Sequence, residues 1–197
     1  MYATSALNAT LHAVDQNLAP VISYSFGTCE SQRKTLLSPF RSLAQQANAQ
    51  GITWVNASGD SGAADCLQSG TGTGALAVDA PASTPEVTGV GGTTLTESGS
   101  AYWSASNGTN SVSALSYVPE AVWNDSSTVG SPASGGGGAS AFFLKPLWQT
   151  GAGVPNDGAR SVPDVALAAS PQLNGYLVMN GGKLNVFGYR NDVAGIE

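Results

Sequence analysis

The stretch GITWVNASGDSGAADC, residues 51–66, combines an apolar run with an aspartate placed between two Ser-Gly pairs. Its apolar residues predict a buried strand over 52–57, and Gly51 is typical of the end of a preceding helix. The Ser-Gly-Asp-Ser-Gly segment around Asp60 follows directly after that strand. In parallel sheets, sites form beyond the carboxyl ends of the strands. This loop is therefore the first candidate for a functional site.

The residues before this stretch predict alternating helices and strands. A first helix is indicated by one apolar stripe at helical spacing, formed by Leu7, Leu11, Val14 and Leu18. A short strand is predicted over 20–27, ending at Gly27. Ser38 and Pro39 resemble the N-cap and first position of a second helix, and Pro39 would divide or kink any earlier turn over 31–37. One face of this helix is apolar, with Phe40, Leu43, Ala44 and Ala47.

Helix, strand, helix and strand joined by short connections predict an α/β fold with a parallel sheet flanked by helices. Downstream, a strand bounded by glycines is predicted over 87–93, and a hairpin with an Asn-Gly turn over 174–182. Residues 96–135 have little helical periodicity. We find no repeat and no linker between domains.

Composition excludes several classes of function. Only seven of the 197 residues are Lys or Arg and the net charge is −6, which argues against nucleic-acid binding. No apolar run is long enough for a membrane span. Charged residues are only 10% of the chain, so few carboxylates would be protonated as the pH falls. This favours a secreted protein that works in acid.

The two cysteines, Cys29 and Cys66, each follow a predicted strand, so a disulfide between them is favoured over two free thiols. Such a bond would imply an oxidising compartment. His12 is the only histidine and lies off the apolar stripe, which is typical of a solvated surface residue. A zinc site or a histidine-based catalytic triad is therefore not expected. The glycines at 135–138 lack the Lys-Ser/Thr of a phosphate-binding loop.

Asp60 allows two interpretations. An aspartate between glycines commonly accepts backbone N–H bonds in a turn. A carboxyl at a strand end can also donate a hydrogen bond to an oxyanion, but only while it is protonated, hence in acid. The acidic pI of about 4.5 is compatible with the second interpretation.

Six segments in order resemble the sedolisin family of serine-carboxyl peptidases, which includes the kumamolisin-like acid proteases. They are VISYSFGTCE, GITWVNASGDSGAADC, VDAPASTPEVTGVGGTTL, EAVWND, SGGGGASAFFLKPLWQ and RSVPDVALAASPQLNGYLV. The resemblance runs from about residue 5 to Gly188 and implies a subtilisin-like fold. It also implies that Asp60 stabilises the oxyanion during attack on a peptide bond. The substrate cleft would be lined by Ser25, Phe26 and Gly27, with Ser58 and Gly59 on the neighbouring wall.

The sequence also departs from the family pattern. The family's base is a glutamate held by an aspartate on a helix upstream of VISYSFG, and Asp15 and Glu30 do not match that motif. Its nucleophile follows the VFG segment in Gly-Thr-Ser, whereas Tyr189 to Asp192 stand here. The family's calcium loop lies later still. We therefore expect a partial peptidase domain over 1–188, a non-matching tail over 189–197, no cofactor in this chain and no peptidase activity from the chain alone.

Two rival functions remain at this stage. A non-catalytic relative would keep the peptide cleft and bind chains without cutting them. A histidine-based subtilisin relative would need a His-Gly-Thr segment, which is absent. The partner that we expect for a peptidase domain is a peptide or protein substrate. Self-association through uncovered sheet surfaces is a further expectation.

Overall fold

The computed structural model describes residues 2–67, 74–96, 102–106, 108–109, 112–172 and 176–187. The helices are α1 (Tyr2–Asp15), α2 (Lys34–Ala49) and the short α3 (Ser126–Val129), and a 3-10 turn, η1, spans Asp65–Leu67. The strands are β1 (Val21–Tyr24), β2 (Thr28–Cys29), β3 (Thr53–Ala57), β4 (Asp79–Ala80), β5 (Thr88–Leu95), β6 (Glu120–Val122), β7 (Gly138–Leu144), β8 (Ala159–Val162), β9 (Val165–Ala168), β10 (Tyr176–Asn180) and β11 (Lys183–Phe187). The tail over 189–197 lies outside the described residues.

A parallel sheet forms the centre of the structure, as the sequence predicts. Strand β1 pairs in parallel with β3, and β3 pairs in parallel with β5. Strand β9 also pairs in parallel with β5, while β6 joins the same strand in antiparallel orientation. The α/β class is confirmed. Strands β6 and β9 were not predicted, because three- and four-residue strands carry too little periodicity to stand out.

Helix α2 covers the sheet, but it begins earlier than predicted. Lys34–Ala49 is one continuous helix with Pro39 inside it, so the prediction of a start at Ser38 is wrong. Proline removes one backbone hydrogen bond from a helix interior. Leu37 and Phe40, on either side of Pro39, are both buried, and Phe40 packs in the core beside Trp54, so burial on both sides of the proline stabilises an unbroken helix. The helix ends before Gly51, whose φ of 77° lies in the left-handed region that glycine adopts readily.

The apolar core lies between the helices and one face of the sheet. Its members are Val14, Tyr24, Phe40, Leu43, Ala44, Ala47, Ile52, Trp54 and Val87, with Leu7 packed against them. The predicted stripe of α1 is only partly buried, because Leu11 is exposed and Leu18 lies beyond the end of the helix. Three aromatic rings stack edge to face through this core, with Trp54 between Tyr24 and Phe40.

The predicted hairpin is confirmed as β10 and β11, which pair antiparallel around Gly181 and Gly182. Strand β1 ends at Tyr24 rather than at Gly27, so residues 25–27 leave the sheet as irregular chain. None of the helices in the described residues has the length and apolar character needed to cross a membrane.

Candidate active site

Two loops meet at the carboxyl edge of the parallel sheet. Tyr24, the last residue of β1, is in register with Asn56 near the end of β3. The chain continues from these strands into Ser25–Gly27 and Ser58–Asp60, so the two predicted walls of the cleft leave the sheet from adjacent strands. Phe26 is 36% exposed and packs edge to face on Tyr24, with 6.1 Å between ring centroids.

Backbone hydrogen bonds fix the loop that carries Asp60. The Ser134 N–H donates to the Asp60 carbonyl over 2.9 Å, and the Gly62 N–H donates to the Ser134 carbonyl over 3.1 Å. The Gly136 N–H donates to the Gly59 carbonyl over 2.7 Å. Residues 134–136 therefore line one side of the loop and determine its shape.

Ser58 is fully buried and serves this arrangement with its side chain. Its hydroxyl donates to the Gly136 carbonyl over 2.7 Å. A β-carbon on Gly136 would overlap the Ser58 carbonyl oxygen, so the two segments approach closely only because position 136 is glycine. The side chain of Ser58 is thus committed to holding the loop.

Two further carboxyl groups lie directly against the glycines of the two loops. A β-carbon built on Gly27 would overlap the carboxylate of Asp79. Gly59 has a φ of 111°, and a β-carbon there would lie 2.5 Å from Asp65 Oδ1. Asp65 and Asp79 are almost completely buried, and Asp60 is partly exposed.

Burial favours the neutral forms of Asp65 and Asp79. Burial raises the pKa of Asp65 to about 7. The pKa of Asp79 is raised well above its ordinary value, mainly by burial and then by the charges of Asp65 and Asp60. Hydrogen bonds from the Thr28 and Ala80 N–H groups oppose this rise. Burial, followed by the charge of Asp79, raises the pKa of Tyr24 to about 12. In acid the buried carboxyls of Asp65 and Asp79 are therefore largely neutral.

A disulfide joins the Asp65 segment to β2, the strand that pairs with the Asp79 segment. Cys29 and Cys66 are bonded, with 4.9 Å between their Cα atoms. Cys29 of β2 is also in register with Asp79 of β4, and Cys66 follows Asp65 in η1. The covalent link therefore holds β2 and η1 together next to the Asp60 loop.

Sequence reasoning singled out Asp60 but missed Asp65, Asp79 and Ser134. The two aspartates stand in segments without clear periodicity, and their closeness arises only from the fold. The one available signal was that each lies beside a residue already of interest, Asp65 next to Cys66 and Asp79 just before the Pro81 turn. Ser134 gave no signal, because its contribution comes from its backbone.

Other candidates for chemistry lie elsewhere or are absent from the described part of the chain. His12 is exposed on α1. No group of three or more His, Cys, Asp or Glu side chains within the described residues is placed to hold a metal ion.

Comparison with protein-family models gives no match. Comparison with curated proteins does. The chain is 37% identical over 191 residues to sedolisin from Pseudomonas sp. (strain 101), and this alignment covers 94% of the chain. It is 37% identical over 197 residues to kumamolisin from Bacillus sp. (strain MN-32), with 95% of the chain covered. The chain is a sedolisin-family sequence.

The solved structures agree with this assignment. A structure of Pseudomonas sedolisin, described as a serine-carboxyl proteinase complexed with two molecules of pseudo-iodotyrostatin, superposes with a TM-score of 0.73 at 33% identity and covers 94% of the chain. The subtilisin-like fold is thereby confirmed. The sedolisin-family chain spans 30% of the curated sedolisin, 32% of kumamolisin and 47% of the solved structure.

Proposed function

We propose that this chain forms part of an acid-acting serine-type endopeptidase domain that hydrolyses peptide bonds. The observation that carries the proposal is the Ser-Gly-Asp-Ser-Gly loop, held by backbone hydrogen bonds at the carboxyl edge of a parallel sheet, in a chain 37% identical to sedolisin. The acid preference is supported by the buried carboxyls beneath the loop.

In this proposal Asp60 stabilises the oxyanion. A protonated carboxyl donates one hydrogen bond to the carbonyl oxygen as negative charge develops on it, and such donors supply a large part of the catalysis of acyl transfer. Ionisation of Asp60 would replace this donor with a negative charge and repel the oxyanion. Peptide hydrolysis should therefore fail as Asp60 loses its proton.

The remaining predicted residues form the peptide cleft in this proposal. Phe26 offers an exposed apolar ring, and Ser25 and Gly27 flank it on the same segment. Gly59 lies on the neighbouring wall, where its φ of 111° shapes the turn that leads into Asp60. Ser58 contributes indirectly, through its bond to the Gly136 carbonyl.

The serine nucleophile and the glutamate–aspartate pair of the family do not match positions in this sequence, so we propose that the 197-residue chain alone does not cleave peptides. Calcium binding, which the family resemblance implies for a larger domain, is likewise not assigned to residues of this chain. We propose an extracellular location, which the disulfide between Cys29 and Cys66 supports.

Self-association is also part of the proposal. Strand β1 stands at the end of the described sheet, and Val21 on it is half exposed. Exposed sheet edges and apolar side chains favour pairing with a second chain. Sedimentation at several concentrations tests this. A mass that rises with concentration supports the proposal, and a monomer at all concentrations contradicts it.

An internally quenched peptide library, incubated from pH 3 to pH 8, tests the peptidase function. The substrate should be cleaved in acid by a polypeptide that joins this chain to flanking residues encoded by its gene, and not by the 197-residue chain. A control with Asp60→Ala measures background cleavage. Binding of the peptides without any cleavage by the longer polypeptide would contradict the proposal and favour the non-catalytic peptide-binding alternative.

A further inference from the structure

Two buried carboxyl groups beneath the Asp60 loop have no part in the chemistry proposed so far. Asp65 and Asp79 are 1% and 2% exposed. A β-carbon on Gly59 would lie 2.5 Å from Asp65 Oδ1 and 3.5 Å from Asp79 Cβ. Both side chains therefore approach the same point of the loop backbone, directly before Asp60.

The environment of this pair disfavours ionisation. Neither carboxyl oxygen of Asp65 has a hydrogen-bond partner in the described part of the chain, and Oδ1 of Asp79 has none there either. Asp79 accepts bonds from the N–H groups of Thr28 and Ala80. A buried carboxylate without donors is strongly unfavourable, and a second charge beside it adds repulsion.

No positive charge offsets this repulsion in the described residues. The groups that face the pair are Tyr24 from the end of β1 and Asp60 from the loop after β3. Glu30, which follows β2, directs its carboxyl to Ser140 and Ala141 instead. No Lys, Arg or His of the described chain contributes to the electrostatics of Asp65 or Asp79.

We propose that Asp65 and Asp79 are positioning residues that make the shape of the Asp60 loop depend on pH. While the pair keeps a proton, the two side chains pack under Gly59 and hold the loop in the form seen here. When both carboxyls ionise, they repel each other and Asp60, and the loop separates from η1 and β4. The inference deepens the proposed function, since it gives the same site a built-in restriction to acid.

The sign of the effect follows from proton binding. Burial raises the pKa of Asp65 from 3.8 to about 7, and that of Asp79 is also raised. Between these values the folded chain holds protons that the unfolded chain has released. The stability that the protonated pair contributes is present below about pH 4 and is lost as the pH rises towards 7.

Hydrogen exchange of the 58–67 segment in the 197-residue chain, followed by mass spectrometry, tests the inference. The protection of this segment should fall at least tenfold between pH 4 and pH 8, after correction for the intrinsic rate of exchange. In Asp65→Asn, which keeps the size of the side chain and cannot ionise, the protection should change less than threefold. Protection of β3 should remain constant over the same range in both chains.

Asp157→Asn is the matched control. Asp157 is a solvent-exposed aspartate whose pKa is lowered by the Ala159 N–H and by Lys145, so its removal should leave the pH profile of the loop unchanged. If Asp65→Asn does not fold, the profile of the wild-type chain still decides. Constant protection from pH 4 to pH 8 in the wild type, or an Asp65→Asn profile equal to the wild-type profile, would overturn the inference.

This measurement does not depend on peptide cleavage. A loop that opens with pH in a protein without peptidase activity would leave the inference standing and remove the proposed function. Peptide cleavage in acid by a protein whose loop protection is constant would support the proposed function and overturn the inference.

Discussion

Asp79 packs directly on Gly27, so that the carboxylate occupies the space where any other residue at position 27 would place its β-carbon. This contact joins the segment after β1 to β4 and brings a buried acid to the edge of the sheet where Asp60 lies. The glycine is thus required by a neighbouring side chain rather than by its own backbone conformation.

Gly27→Ala should therefore destabilise the chain. The added methyl group would force Asp79 out of its hydrogen bonds with the Thr28 and Ala80 N–H groups, and overpacking of this kind costs about 1–3 kcal/mol. Chemical denaturation at pH 4 measures the change. The same substitution in an Asp79→Ala background should cost clearly less. Equal costs in the two backgrounds would show that the two residues do not interact.

The ion pair between Arg160 and Asp164 should be important for stability. Arg160 is fully buried, and its guanidinium donates to both carboxylate oxygens of Asp164 over 2.5 and 2.6 Å. Asp164 also accepts the Gly89 N–H, which attaches it to β5. Asp164→Ala leaves a buried cation without its partner and should lower the free energy of unfolding by about 3–5 kcal/mol.

The comparison variant for this prediction is Asp157→Ala. The exposed Asp157 forms an ion pair with the partly buried Lys145 over 3.2 Å, and pairs at the surface contribute little to stability. Thermal denaturation of both variants at pH 6 should show a large loss for Asp164→Ala and no measurable loss for Asp157→Ala. Similar melting temperatures for the two variants would refute the prediction.

Glu30 is a buried hydrogen-bond acceptor that links the segment after β2 to β7. It takes hydrogen bonds from Ser140 Oγ over 2.7 Å and from the Ala141 N–H over 2.6 Å. Glu30→Ala leaves both donors unpaired and should cost about 1–3 kcal/mol in unfolding free energy, measured by urea denaturation. Glu30→Gln keeps an acceptor and should cost less.

The pH dependence of Glu30→Gln offers a second check. Burial raises the pKa of Glu30, against the hydrogen bonds from Ala141, Ser140 and Ser83. The wild-type chain therefore loses stability as the pH rises above the ordinary range of a glutamate. The glutamine variant should gain stability relative to wild type from pH 4 to pH 7. A constant difference over that range would contradict this assignment.

The disulfide should contribute a large share of the stability of the candidate site. Cys29 and Cys66 are separated by 37 residues, and closing a loop of this length stabilises a folded chain by about 4 kcal/mol in the chain-entropy model. The Cys29→Ala and Cys66→Ala double variant should lose about this amount in guanidinium denaturation. A midpoint equal to that of the oxidised wild-type chain would contradict the prediction.

How far the sequence predicts this molecule depends on the range of the interactions involved. Strand β3 and the buried face of α2 are predictable because their apolar periodicity is local. The predicted start of α2 at Ser38 was wrong because the burial of Leu37 and Phe40 outweighs the local signal of Pro39. Asp65 and Asp79 were missed for a similar reason, since they meet under Gly59 only after β4 has folded back beside β2.

The turnover number of Asp60 variants tests whether Asp60 stabilises the oxyanion. In the longer, peptide-cleaving polypeptide at pH 4, Asp60→Ala should lower kcat by about 10²–10³ with little change in KM, because an oxyanion donor acts in the transition state. Asp60→Asn keeps a donor that needs no added proton, so it should retain more activity than Asp60→Ala and lose less of it as the pH rises. A kcat for Asp60→Ala equal to the wild-type value would show that Asp60 does not stabilise the oxyanion.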